Sequence, residues 1–105
     1  MTIATIDPTT GETIRVYTEL SPGEAALIVE NADNAFHSWR RTSFDERAAL
    51  MRQAASILRA GADEYARLMA EEMGKPVRDG RAEAEKCAWV CDYYAENAGR
   101  FLAPE

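Results

Sequence analysis

The sequence has few of the side chains on which catalysis and metal binding usually depend. Among 105 residues there is one histidine, His37, and there are two cysteines, Cys87 and Cys91. A structural zinc site needs about four such ligands, and a histidine base needs a nucleophile or carboxylate close to it. We therefore expect His37 to lie on a helix surface or cap a helix end, and the cysteines to be small core residues. No catalytic or metal-binding residue is predicted.

Positive charge and long apolar runs are also lacking. Twelve Lys and Arg against 18 Asp and Glu give a net charge of −6, which disfavours binding to nucleic acid or to anionic lipid. No apolar run approaches the ~20 residues of a membrane-spanning helix, and the first residues do not resemble a secretory signal. We expect a cytoplasmic chain with neither a nucleic-acid nor a membrane partner.

Glycine-rich phosphate-binding loops are missing as well. No G-x-G-x-x-G pattern occurs, and no predicted strand leads into a glycine-rich helix start. The Gly74-Lys75 step lacks both the glycine five residues earlier and the following Ser or Thr of a P-loop. The prediction is that this chain binds no nucleotide cofactor by itself.

Large apolar side chains are scarce. Leu, Ile, Val and Phe total 18 of 105 residues, whereas alanine alone contributes 19. That share of large aliphatic and Phe residues is below the ~20% at which independent folding becomes doubtful. Alanine-rich helices can pack closely but bury little area. The chain is therefore expected either to be marginally stable alone or to pack against something else.

What is present predicts a mostly α (α+β) chain with an N-terminal β-hairpin and about four helices. β-Branched residues flank an Asp7-Pro8-Thr9-Thr10-Gly11 turn within residues 2–17, which indicates the hairpin. Capping boxes at Ser21 and Ser43 predict helix starts. The expected helices run from Pro22 to near Arg40, from the Ser43 box to Gly61, over 62–73, and over about 77–99. We predict one segment, 1–105, with the hairpin in 1–20 and a helical layer in 21–105.

Apolar periodicity predicts which helix faces are covered. The first helix has a single stripe expected to pack on one side, with Trp39 as an aromatic anchor. In the third helix Tyr65, Ala66, Met69 and Met73 are expected to point inward. The last helix has an inner face expected to contain Val77, Gly80, Ala84, Cys87, Ala88, Cys91, Tyr94, Ala95 and Ala98. Trp89 and Tyr93 lie on another face, which gives more aromatic surface than one small core needs.

Seven motifs follow one another along the chain. They are Asp7-Pro8-Thr9-Thr10-Gly11-Glu12, Ala35-Phe36 with Trp39-Arg40, Arg47, Leu50-Met51, Glu72-Met73-Gly74-Lys75-Pro76, Glu83 and Asp92-Tyr93-Tyr94-Ala95-Glu96. In order and spacing they resemble the opening segment of NAD(P)-dependent aldehyde dehydrogenases, with the succinate-semialdehyde dehydrogenase branch most similar. The resemblance covers nearly the whole chain but only the first fifth to quarter of such an enzyme.

The resemblance implies the N-terminal part of an aldehyde-dehydrogenase-like α/β fold, whose Rossmann-like and catalytic domains are absent here. In this family the catalytic cysteine, the general-base glutamate and the oxyanion-hole asparagine all come later, as does the NAD or NADP site. The Tyr-Tyr-Ala region of the last helix borders the substrate tunnel in relatives. By that analogy Lys86, Val90 and Tyr93 are candidate residues of a tunnel wall.

Two functional hypotheses follow. In the first, the chain is the N-terminal fragment of an aldehyde dehydrogenase, inactive alone, whose partner is the remainder of such an enzyme and whose family reaction oxidises an aldehyde, expected to be succinate semialdehyde, to the acid. In the second, it is a free-standing helical interaction or dimerisation module without catalysis, which binds a partner such as a full-length relative or a second copy of itself. A thiol enzyme using Cys91 is disfavoured.

Overall fold

A hairpin and four helices make up the computed structural model, which describes residues 3–105. This confirms the mostly helical architecture predicted from the sequence. The last helix ends two residues later than expected, and Thr2 of the predicted hairpin lies outside the described residues. The elements are β1 (Ile3–Ile6), β2 (Thr13–Tyr17), α1 (Pro22–Trp39), α2 (Phe44–Ala60), α3 (Ala62–Met73) and α4 (Val77–Phe101).

The two strands pair antiparallel, with Ile3 opposite Tyr17 and a register irregularity between Thr5 and Ile6. The turn is closed locally. The Asp7 carboxylate accepts a hydrogen bond from the Thr9 backbone N–H at 2.7 Å, and Gly11 takes a φ of 76° that favours glycine. Local hydrogen bonds of the Asx-turn type therefore fix the hairpin reversal.

Capping boxes begin α1 and α2, as the sequence predicted. At α2 the Glu46 carboxylate accepts the Ser43 backbone N–H at 2.7 Å, while Ser43 Oγ accepts the Glu46 N–H at 3.2 Å. Ser21 and Glu24 form the same pair at α1. The hydrogen bonds from the Ser21 side chain and backbone lower the pKa of Glu24. Those from the Ser43 backbone and side chain lower the pKa of Glu46.

The helical layer is organised around α4, the longest helix. Both α2 and α3 pack on α4. An ion pair at 2.7 Å joins Arg59 of α2 to Asp92, and another at 2.6 Å joins Asp63 of α3 to Arg81. The buried side chains of the described residues are all alanines, namely Ala48, Ala55, Ala62, Ala66, Ala84 and Ala88. The core is therefore a narrow strip of methyl groups along α4.

The α3–α4 interface needs glycine at two positions. A Cβ on Gly80 would lie 3.0 Å from the Ala66 Cα, so the two helix backbones are in close contact there. Gly74 ends α3 with a φ of 71°, as the sequence predicted, and a Cβ on it would lie 3.2 Å from the Pro8 Cγ. The hairpin turn thus reaches the end of α3.

Several predictions about covered faces were wrong. No residue of α1 is buried, and Phe36 on its stripe is 50% exposed. Met73 is 64% exposed, and Cys87 is exposed rather than a core residue. Val77 and Tyr94 are also largely exposed. These side chains do share the expected helix faces, but no described element covers them.

The molecule is extended for its length. Its radius of gyration is 18.3 Å, whereas a compact domain of about 100 residues has ~13 Å. Its accessible surface is 8368 Å², against roughly 5,900 Å² for a compact monomer of this mass. The difference, about 2,500 Å², exceeds the ~1,200–2,000 Å² buried in a typical stable interface. The apolar faces left open are therefore large enough to pack against another body.

Candidate functional site

The outer face of α4 is the candidate site. Its orientation is fixed by the buried Gly80, Ala84 and Ala88, which pack against α2 and α3. Because α4 turns once every 3.6 residues, residues offset from these three positions lie on other sides of the helix. None of the three tunnel-wall candidates is buried: Lys86 and Tyr93 are exposed and Val90 is half-buried.

Lys86 and Val90 lie together in an open, mostly apolar groove. They are one helical turn apart, and Ala82, Glu83, Cys87 and Cys91 form the rest of its lining. The structure therefore brings two of the three candidate wall residues into one depression.

Tyr93 does not line this groove. It lies next along α4, three residues beyond Val90, where its ring is 5.9 Å from that of Trp89 and 6.1 Å from that of Phe101. Trp89 itself is 60% exposed. The outer aromatic surface expected from the sequence is thus present, as a cluster adjoining the groove.

The groove contains a lysine ammonium group that forms no ion pair with the described residues. The Glu83 carboxylate is engaged by the Lys75 ammonium group. Within residues 3–105, no carboxylate lies within 4.0 Å of the Lys86 ammonium group. Lys86 is therefore available to a ligand that has an anionic group.

Within residues 3–105, no histidine base or metal site lies beside this charge. His37 is exposed on the last turn of α1, as predicted, with its Nε2 3.5 Å from an Asp33 carboxylate oxygen. Across residues 3–105, no three His, Cys, Asp or Glu side chains are grouped to hold a metal ion. Neither strand of this part of the chain leads into a glycine-rich helix start, the arrangement that holds the pyrophosphate in a Rossmann fold. The groove can therefore orient a ligand through Lys86, and the nucleophilic groups in its lining are the thiols of Cys87 and Cys91.

A second cavity, which the sequence did not indicate, lies between the start of α2 and the end of α4. It has a volume of about 310 Å³. The Arg47 guanidinium stands over the Trp39 ring at 5.1 Å and donates to the Trp39 carbonyl at 2.9 Å. Trp39 is still 46% exposed, so it is a half-covered wall rather than the buried anchor that we expected. The cavity is lined by Trp39, Phe44, Arg47, Ala48, Leu50, Met51, Tyr94, Ala95, Ala98, Gly99 and Leu102.

The signal that could have found this cavity is the pairing of aromatic residues at neighbouring helix ends. Trp39 closes α1 and Phe44 opens α2, only five residues later. Both rings line the cavity, together with residues of the second half of α4.

None of the helices in residues 3–105 has the length and apolar character needed to cross a membrane.

Comparison with known proteins gives one consistent result. The profile of the aldehyde dehydrogenase family matches residues 1–105. An aldehyde dehydrogenase of Paenarthrobacter nicotinovorans is 47% identical over the whole chain, which covers 23% of that protein. The succinate-semialdehyde dehydrogenase [NADP(+)] 1 of Mycobacterium bovis is 44% identical, again over the whole chain and 23% of its own length.

Solved structures agree. Succinic semialdehyde dehydrogenase from Streptococcus pyogenes, crystallised in complex with NADP+, superposes with a TM-score of 0.87 at 35% identity. That match covers 95% of this chain and 22% of the Streptococcus protein. The chain thus spans less than a quarter of the length of these relatives and corresponds to their N-terminal segment. The match favours this interpretation over a free-standing dimerisation module. By sequence and by fold, the chain belongs to the aldehyde dehydrogenase family.

Proposed function

We propose that this chain forms the N-terminal segment of an NAD(P)-dependent enzyme that oxidises succinate semialdehyde to the dicarboxylic acid. The observation that carries the proposal is the groove on α4, where the unpaired ammonium group of Lys86 stands beside Val90. Relatives named succinate-semialdehyde dehydrogenase support the choice of substrate. The activity is that of the assembled enzyme rather than of these residues alone.

Aldehyde oxidation of this kind needs a thiolate to attack the carbonyl, a nicotinamide to accept hydride and a base to activate water. In the proposal, all three come from outside this chain, and so does the binding site for NAD or NADP. The contribution of this segment is to shape the approach to the reacting centre with Lys86, Val90 and Tyr93 as a tunnel wall.

Charge accounts for the selectivity of such a wall. Succinate semialdehyde has a carboxylate at the end opposite its aldehyde, and a lysine ammonium attracts that carboxylate more strongly once water is excluded. Val90, one turn further on, offers apolar contact to the methylene groups. Tyr93 would extend the same wall.

The remainder of the enzyme is the proposed partner. The open stripe of α1 and the excess surface of about 2,500 Å² derived above both favour packing on a larger body. In this proposal residues 1–105 form one segment, with the hairpin in 1–20 and the helical layer in 21–105.

A chimera tests the role of Lys86. The chain replaces the corresponding segment of the Mycobacterium bovis enzyme, and kcat/KM is measured with succinate semialdehyde and with butanal, which has no carboxylate. We expect Lys86→Met to lower kcat/KM for succinate semialdehyde by roughly tenfold or more, since a hydrogen bond to a charged group is worth about 1.5–3 kcal/mol. Butanal oxidation should be nearly unchanged, and Lys86→Arg should retain most of the selectivity.

The matched control is Arg78→Met, which removes one positive charge from the same helix. The Arg78 side chain is 92% exposed and lies outside the groove, so its loss should affect both aldehydes little. An equal loss for both substrates in Lys86→Met, or no loss for either, would refute the wall. The isolated chain should reduce neither NAD+ nor NADP+ with any of these aldehydes.

A further inference from the structure

The two cysteines of α4 lie on one face of the helix and open into one groove. Cys87 is exposed and Cys91 is half-buried, and both are free thiols. They line the same depression as the apolar residues Ala82 and Val90. This placement differs from that of core cysteines, because a reagent in solvent can reach both sulfurs from one side.

Their spacing disfavours a direct bond between them. Residues four apart on a helix have Cβ atoms about 5–6 Å apart, whereas a disulfide requires about 3.5–4.5 Å. A single bridging atom with bonds of about 2.3 Å to each sulfur, as in metal thiolates, spans the larger separation without unwinding the helix. The two thiols are thus placed to bind one bridging atom together rather than to form a disulfide with each other.

We propose that Cys87 and Cys91 form a dithiol site that binds monosubstituted trivalent arsenicals. Two As–S bonds form, each thiol gives up its proton, and the oxygen of the arsenical leaves as water. The arsenic stays trivalent, so no oxidant or reductant is needed. The organic substituent lies against Val90 and Ala82, the apolar part of the groove.

The test uses phenylarsine oxide with the full 105-residue chain. One equivalent should remove both thiols from titration with a thiol-reactive chromophore, and intact mass should show a single adduct with loss of one water. Each of the single variants Cys87→Ala and Cys91→Ala can form only one As–S bond. We expect each to bind phenylarsine oxide on the order of 100-fold more weakly than the parent chain, because the second As–S bond of the parent forms intramolecularly. Undiminished binding by either variant, or two thiols still titratable in the parent chain, would refute chelation.

A matched control keeps two thiols but changes their direction. In the double variant Cys91→Ala with Trp89→Cys, the thiols at positions 87 and 89 are two residues apart and point to different sides of α4. Circular dichroism confirms that the helix is retained, and the phenylarsine affinity should fall to that of the single-cysteine variants. Affinity equal to that of the parent chain would show that helix geometry does not create the site.

Discussion

At the scale of single residues, Gly80 decides how closely α3 and α4 approach. A Cβ there would lie 3.0 Å from the Ala66 Cα and 3.2 Å from its Cβ. Because the obstacle is backbone rather than a flexible side chain, the helices must separate to admit a methyl group. We expect Gly80→Ala to lower the free energy of unfolding by roughly 1–3 kcal/mol, the usual range for overpacking, as measured by urea denaturation followed by circular dichroism.

Gly23 provides the control for that measurement. It lies in the first turn of α1, and no atom lies within 4 Å of a Cβ built on it. Gly23→Ala should leave stability unchanged or raise it by up to about 1 kcal/mol, because alanine is the better helix former. A loss at Gly23 as large as that at Gly80 would mean that the substitution is costly even without a close contact, and contact with Ala66 would then not explain the result.

At the scale of elements, the start of α2 should respond to pH. The Ser43 hydrogen bonds lower the pKa of Glu46 from its ordinary value of 4.5. A carboxyl whose pKa is lower in the folded than in the unfolded chain stabilises the fold fully above the unfolded value. That contribution is lost as the pH falls through the lower, folded pKa. Helicity of the parent chain should therefore decrease on acidification below pH 4.5.

Glu46→Gln isolates this effect, because glutamine can complete a capping box without titrating. We expect the variant to lose less helicity than the parent chain between pH 5 and pH 3, monitored at 222 nm. Glu24→Gln, at the equivalent position of α1, should reduce the remaining pH dependence. An identical acid profile for parent and Glu46→Gln would contradict the role assigned to the box.

Element boundaries were predictable because their causes are local. The boxes at Ser21 and Ser43 and the left-handed Gly74 each act within a few residues of sequence. Coverage of the helix faces was less predictable. Periodicity groups residues on a face, but whether Phe36 or Met73 is buried depends on whether another element lies over that face. For α1 no described element does so.

The candidate site, too, could be predicted from the sequence only in part. Lys86 and Val90 share a groove because residues four apart on a helix share a face, which the sequence shows. That Glu83 is engaged by Lys75, leaving Lys86 unpaired, depends on how α4 follows the Gly74 turn. The exposure of Cys87 likewise depends on which sides of α4 are covered by other helices. These are properties of packing, which residue spacing alone does not determine.

At the scale of the whole molecule, the narrow core limits stability. Every buried side chain of the described residues is an alanine, and alanine burial contributes little free energy. We expect the isolated chain to unfold with less than about 5 kcal/mol, in a broad thermal transition measured by calorimetry. A sharp transition above ~65 °C, beyond the usual range of mesophilic domains, would show that these helices stabilise one another without a further packing partner.

The alanine strip along α4 has one more consequence, for the tolerance of this segment to change. Ala66, Ala84 and Ala88 are buried and can hardly become smaller, so nearly every replacement of them adds bulk. At Ala66 the backbone of α4 is already in close contact, at Gly80. The outer surface has no such restriction within this chain. We therefore expect amino-acid substitutions on the inner side of α4 to be limited by lack of space, and those on the outer side only by the molecule that packs against it.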